Sequence, residues 1–147
     1  MYQRILIATD GTPLSNKAAD HGIELATLAG AEVIVLTVVP RYPVSYIEGG
    51  MSIPVTTVGD VEKQWADAAQ AVVDKVKGAA EARGVKAKAV TKRSDLVSES
   101  IIATAKKYQC DLIVMASHGR KGIKRVLMGS ETTQVLTHSH IPVLVLR

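Results

Sequence analysis

Residues 111–133 read DLIVMASHGRKGIKRVLMGSETT. Leu112-Ile113-Val114-Met115-Ala116 is apolar throughout and short, the form of a strand buried on both faces. It stops at Ser117-His118-Gly119. A basic loop follows, Arg120-Lys121-Gly122-Ile123-Lys124-Arg125, and Gly129-Ser130 then precedes a segment able to restart a helix. Glycine lets backbone N–H groups approach an anion closely. A helix start aims unpaired N–H groups and the positive end of its dipole at one. Strand, glycine loop, glycine-serine and helix together have the layout of a phosphate cradle, and the rest of the chain reads as the frame around it.

Working outward, the same alternation repeats. Arg4 to Thr9 is an apolar, β-branched run that ends at Asp10-Gly11-Thr12-Pro13. Thr12 before Pro13 suits an N-cap and first helical position. Leu14, Ala18, Ala19, Gly22, Leu25, Ala26 and Ala29 then recur at helical spacing until Gly30. Glu32 to Val39 is a second buried strand. Pro40 to Gly59 carries prolines and glycines with no helical period and reads as a long loop, either a functional flap or a plain insertion. Asp60 to Arg83 is the longest helix, with Val61, Trp65, Ala68, Ala69, Val72, Val73, Val76, Ala79 and Ala80 on its apolar face. Val85 to Val90 alternates as a half-exposed edge strand does. Asp95 is placed to cap a helix that turns Leu96, Ser100, Ile101, Ala103, Thr104 and Ala105 inward and ends near Lys106-Lys107. After the strand Asp111 to Ser117 come a helix from Ser130 to His138 and a last strand from Ile141 to Leu146.

This β-α-β-α-β-α-β-α-β order predicts one α/β domain over residues 1–147, a Rossmann-like, doubly wound parallel sheet of five strands with helices on both faces. In such sheets ligands sit outside the carboxyl ends of strands, where the strand order reverses. Asp10-Gly11 and Ser117-His118-Gly119 are the polar and glycine-bearing strand ends. They face each other across one crevice if the first and fourth strands are neighbours.

Composition narrows the function classes. The formal charge is +4 and the pI about 9.3, but the cations are spread out. With no Phe, one Trp and four Tyr there is little to stack bases on, which argues against nucleic-acid binding. No apolar run approaches the ~20 residues of a bilayer span, and Met1-Tyr2-Gln3-Arg4 has no signal-peptide character. The single Cys110 fits a reducing cytosol and a small core residue, so a cytoplasmic location with no membrane contact is expected. His21, His138 and His140 lack partners at metal-ligand spacing and read as structural or surface residues.

The strand before Asp10-Gly11-Thr12, the segment Asp111 to Gly119 and the terminal Ile141-Pro142-Val143-Leu144-Val145 resemble the universal stress protein family over essentially the whole chain. The nucleotide-binding branch of that family carries G-x2-G-x9-G-[ST]. Here Gly119, Gly129 and Ser130 match, and Ala116 stands where the first glycine would be. The resemblance implies strand order 3-2-1-4-5 and ATP in the crevice between strands one and four, with Mg2+ the expected companion. It places Ala8, Thr9 and Asp10 at the adenosine end, with Val38 against the adenine. By the same resemblance Met115 and Ala116 would lie along the nucleotide, His118 and Gly119 near the phosphates, and Gly129, Ser130, Glu131 and Thr132 would form the cradle. It also implies a homodimer through the last strand, Ile141 to Leu146, an apolar edge broken by no charge.

Each residue has a plainer reading. Asp10 can simply begin a turn, the glycines can be loop glycines, Ser130 an ordinary N-cap and His118 a surface histidine. Glu131 would repel a phosphate unless a divalent cation bridges them. No Walker G-x4-G-K-[ST] and no kinase loop is present, so no catalytic residue is assigned. The expectation is a non-catalytic, ATP-binding sensor or regulator in the stress response. The alternatives are an interaction module that has lost its nucleotide, or a weak ATPase or self-phosphorylating protein.

Overall fold

The computed structural model describes residues 1–41, 55–119 and 129–147. The chain runs β1 (Arg4–Ala8), α1 (Pro13–Ala29), β2 (Glu32–Val39), α2 (Val55–Ala82), β3 (Ala87–Arg93), α3 (Val97–Lys107), β4 (Leu112–Ala116), α4 (Ser130–His138) and β5 (Val143–Leu146). The strands form one parallel sheet in the order β3-β2-β1-β4-β5, as expected.

The apolar strand runs are continuous because both faces of the sheet are covered. On one face Ile5, Ile7, Val33, Val35 and Val114 pack with Ala18, Ala19, Ile23, Val73 and Ala80 of α1 and α2. On the other, Leu6, Ile34, Leu36, Ile113 and Met115 pack with Ile101, Ala105 and Val135 of α3 and α4. Asp111 pins the β1–β4 register from below: its carboxylate accepts from Gln3 N at 2.8 Å and Arg4 N at 3.1 Å. Cys110 is a buried member of the second cluster, in line with the core reading.

The locally encoded ends form as read. Thr12 is the N-cap of α1, its side chain accepting from Ser15 N. Pro13 opens the helix, and Gly30 at φ +67° closes it with its N–H on Ala26 O.

Other boundaries differ. The helix expected from Asp60 begins at Val55, inside the supposed loop. Val55, Thr56, Thr57 and Gly59 are weak helix formers, but extending a formed helix costs far less than starting one. Ala68 and Ala79, expected on its inner face, are exposed. The third strand begins at Ala87, two residues late, because Val85 N closes the helix end on Ala80 O, and it continues to Arg93. Asp95 does not cap α3. Its Oδ1 accepts from Arg41 N at 2.9 Å, and the N-cap is Leu96, exposed like Ala103 rather than inward. The last strand starts at Val143, since Ser139 Oγ bonds both the N–H and the carbonyl of Ile141. Residues 42–54 and the basic stretch 120–125 lie outside the described residues. Among the described residues no helix is long and apolar enough to cross a membrane.

Candidate functional site

Strand order reverses between β1 and β4: the chain leaves β1 toward β2 and leaves β4 toward β5. The carboxyl ends of these two strands therefore open a crevice between the connections that follow them. Asp10 stands on one side. Its Oδ1 accepts from Thr12 N at 3.0 Å and from Thr12 Oγ1 at 2.6 Å, which ties the carboxylate to the start of α1. Gly11, at φ +82°, makes the turn that allows this. Gly119 stands opposite. A Cβ built on Gly119 would lie 2.5 Å from Asp10 Oδ2, so any larger residue would displace the carboxylate.

The floor comes from the strand ends. Ala8, Val38 and Met115 lie on the α3/α4 side of the sheet and pack against the core there. Thr9 is buried and turns the other way. Its hydroxyl donates to Ser15 Oγ at 3.1 Å, and its carbonyl accepts from Thr37 Oγ1 at 2.8 Å. Ala116 occupies regular strand, and among the described residues Gln109 is the only non-glycine with positive φ. The backbone at Ala116 therefore has no need of the glycine that the motif would place there.

The far wall is the start of α4. Gly129 is its N-cap in extended backbone, and Gly129 N donates to Ser117 O at 2.7 Å, clamping the helix start onto the end of β4. A Cβ on Gly129 would stand 3.4 Å from His118 Cα, in ordinary van der Waals contact. The first intrahelical bond of α4 is Thr133 N to Gly129 O. The N–H groups of Ser130, Glu131 and Thr132 thus precede the first intrahelical bond, the first-turn arrangement that suits an anion.

Two cradle side chains have other work. Thr132 is buried, and its Oγ1 donates to Ala116 O at 3.0 Å. Glu131 Oε2 accepts from Ser98 N at 3.0 Å, so its carboxylate caps α3. This contact answers the repulsion expected from Glu131 by directing its charge to another helix start. Ser130 is exposed, and the His118 ring shares a 3.1 Å hydrogen bond with Ser117 Oγ. Among the described residues no group of His, Cys, Asp and Glu could hold a metal ion on its own.

Sequence reasoning passed over Ser117 and Thr12 as site residues. Ser117 takes Gly129 N on its carbonyl and gives its own N–H to Leu146 O at 2.7 Å, joining β4, α4 and β5. Its position between a buried strand and a glycine was the one available signal. A groove of about 270 Å³ lined by Thr27, Gly30, Glu32, Arg83, Gly84 and Lys86 lies at the opposite end of the sheet, away from the crevice.

The sequence pattern of the universal stress protein family matches this chain over residues 1–147. Universal stress protein MJ0531 of Methanocaldococcus jannaschii is 34% identical over 149 aligned residues, which cover 100% of this chain and 83% of that protein. Among solved structures, the M. jannaschii protein MJ0577 superposes with a TM-score of 0.83 at 29% identity, covering 99% of this chain and 96% of that one. A universal stress protein in complex with cAMP matches at TM-score 0.71 and 22% identity, covering 99% and 97% of the two chains. One from Archaeoglobus fulgidus in complex with dAMP matches at TM-score 0.69 and 18% identity, covering 99% and 98%. At those identities the last two show a shared fold.

Proposed function

Because the chain belongs to the universal stress protein family, we propose that it binds ATP, with Mg2+, in the crevice between the carboxyl ends of β1 and β4 and acts as a non-catalytic cytoplasmic sensor or regulator in the stress response. The observation that carries the reading is the opposition of Asp10 and Gly119. A tethered carboxylate, able to accept from a ribose hydroxyl, faces a glycine that cannot be enlarged without displacing it. The α4 first turn at Gly129 and Ser130 supplies the phosphate end, and Val38 and Met115 an apolar bed for the base. The ordinary backbone at Ala116 favours this over loss of the nucleotide, since the one departure from the motif costs no backbone strain. The cAMP and dAMP complexes of two proteins of this fold support an adenine nucleotide as the ligand class.

A ligand that binds only the folded chain raises its stability by about 2.7 kcal/mol at a hundredfold excess over Kd. The test is a thermal melt with and without millimolar Mg-ATP, alongside extraction of purified protein for released nucleotide. An upward shift of several degrees is expected. An unchanged melt with no extractable nucleotide would falsify the assignment.

The same reading includes a homodimer through β5. The two sheet edges contrast. β3 carries Lys88, Lys92 and Arg93, whereas β5 is Val143-Leu144-Val145-Leu146, uncharged, with Leu144 42% exposed. Natural edge strands are guarded by charge or covered. β3 is guarded, so a second copy is the natural cover for β5.

A further inference from the structure

We propose that the β3 edge is a docking strand for an acidic, extended polypeptide segment of another protein. β3 ends the sheet on the side away from β5, so its outward N–H and C=O groups have no strand beside them among the described residues. The stretch from Lys86 to Arg93 holds four cations and no carboxylate, as many charges as the whole chain's net +4.

The register sorts these cations. Lys88 pairs with Ile34, Val90 with Leu36 and Lys92 with Val38, which puts all three on the α3/α4 face. Helix α2 covers the other face, where Ala87 and Ala89 join the first core cluster. Lys86 is paired with Glu32 at 3.5 Å, and Arg93 with Glu62. Among the described residues neither Lys88 nor Lys92 has a carboxylate within ion-pair distance. A third ammonium adds to theirs: Lys88 Nζ and Lys107 Nζ lie 5.0 and 5.5 Å from the centroid of the same Tyr108 ring. Lys88 and Lys92 therefore form an exposed row of like charge on this edge, with the half-buried Val90 between them.

This row selects its occupant. A second copy of β3 would bring lysines against lysines, and like charges on paired strands destabilise the pair. An acidic strand reverses that sign. Every strand rises ~3.3 Å per residue, so an added strand repeats the ~13 Å between Lys88 and Lys92 and presents acidic–x–apolar–x–acidic to Lys88, Val90 and Lys92. Nucleic acid fits less well. The Tyr108 ring packs against the core and already meets two ammonium groups, and a row of backbone amides pairs with a peptide rather than with bases.

The test uses the full chain and a fluorescein-labelled peptide containing Glu-Thr-Val-Thr-Glu, read by anisotropy at low salt. One control replaces both Glu by Gln, a second is N-methylated at alternate amides, and a third is a single-stranded oligonucleotide competitor. The acidic peptide should bind at least about tenfold more tightly than either peptide control and should weaken as salt rises. The double substitution Lys88→Glu and Lys92→Glu, both at exposed positions, should abolish binding while leaving the thermal melt in place. A Lys-Thr-Val-Thr-Lys peptide should bind that variant. Equal binding of the Gln or N-methylated peptide, or full binding by the double variant, overturns the proposal. So does an oligonucleotide that binds the same edge more tightly than the peptide.

Discussion

The Oδ2 atom of Asp10 lies 2.5 Å from the point where a Cβ on Gly119 would stand. Gly119 is not among the glycines of positive φ, which are Gly11, Gly30 and Gly84 among the described residues. Glycine is needed here to keep the carboxylate in place, and not by the backbone conformation. The carboxylate that fills the clearance is held by Thr12, at the start of α1. The two strand ends are fitted to each other before any ligand arrives.

Gly119→Ala should therefore act on Asp10. The methyl group must push the carboxylate off its Thr12 anchor or move the β4 end. Hydrogen bonds to a charged group contribute about 1.5–3 kcal/mol, so ATP affinity should fall roughly ten- to hundredfold while the core stays folded. Titration calorimetry on the folded variant checks this. Wild-type affinity would show that Asp10 is not a ligand-contacting group.

Glu131 predicts opposite signs for stability and binding. Its carboxylate caps α3 through Ser98 N, so Glu131→Ala should destabilise the fold by about 1 kcal/mol, as loss of a cap does. The same change removes a negative charge from the first turn of α4, so ATP affinity should hold or rise. Urea melts and calorimetry on one protein read both. A loss of affinity larger than the loss of stability would mean that Glu131 serves the ligand directly, through a bridging cation for instance.

These two residues also mark how far sequence could be read. The glycine spacing from Gly119 to Gly129-Ser130 and the Asp10-Gly11 turn were visible because each is written in a short stretch. So were the α1 caps, where Thr12, Pro13 and Gly30 act on neighbours. The α3 cap was misplaced on Asp95 because the acceptor that matters, Glu131, comes from another helix and no local rule reaches it. The burial of Thr132 and the junction at Ser117 depend on how α4 sits on β4, and that is a tertiary fact. Strand order could be inferred only through the family resemblance, since alternation alone allows other doubly wound orders.

Two helix glycines should respond in opposite directions. Gly22 in α1 sits under β1, and an added Cβ would come 2.7 Å from Ile7 Cδ1 and 2.8 Å from its Cγ1. Gly→Ala raises helix propensity by about 1 kcal/mol, but overpacking of this kind costs about 1–3 kcal/mol, so Gly22→Ala should be destabilising on balance. Gly78 in α2 has nothing within 4 Å of the added carbon. Gly78→Ala should raise stability by about 1 kcal/mol. Denaturant midpoints of the pair decide it, and a stabilised Gly22→Ala would mean that α1 can lift off the sheet at little cost.

Cys110 gives a pH dependence in the alkaline range. Burial pushes its thiol pKa up to about 11, opposed by the nearby Arg4 guanidinium and reinforced by Asp111. Below the ordinary thiol pKa both folded and unfolded chains hold the proton. Above it the unfolded chain releases the proton first, so stability falls as pH rises through the ordinary thiol range and levels off near 11. Cys110→Ala should flatten that part of the profile. Urea melts of both proteins at neutral pH and near pH 10 test this, and parallel profiles would mean that the thiol ionises in the folded state as it does in the unfolded one.

The last prediction concerns assembly. Carbonyls of Pro142 and Leu146 accept from Ile113 N of β4 and from Ser117 N just beyond its end. Residues alternate along a strand, so the backbone groups of Val143 and Val145 point outward, away from β4. A two-fold axis through Leu144 would set Val143 of one copy against Val145 of the other, and each pair would exchange hydrogen bonds. Val143 and Val145 also pack beside the core on the α3/α4 face. Replacing both with Lys should give monomer or aggregate, since the charges strike both the edge and the half-buried face. Leu144→Lys is the gentler variant. Its side chain is 42% exposed on the α1 side, so the fold should survive while two lysines meet at the axis and drive dissociation. Light scattering across a concentration series should show a dimer for the wild type and a folded monomer for Leu144→Lys. A wild-type monomer at micromolar concentration would end the dimer, and ATP binding at the β1–β4 crevice, which needs no residue from a second copy, would stand or fall on its own test.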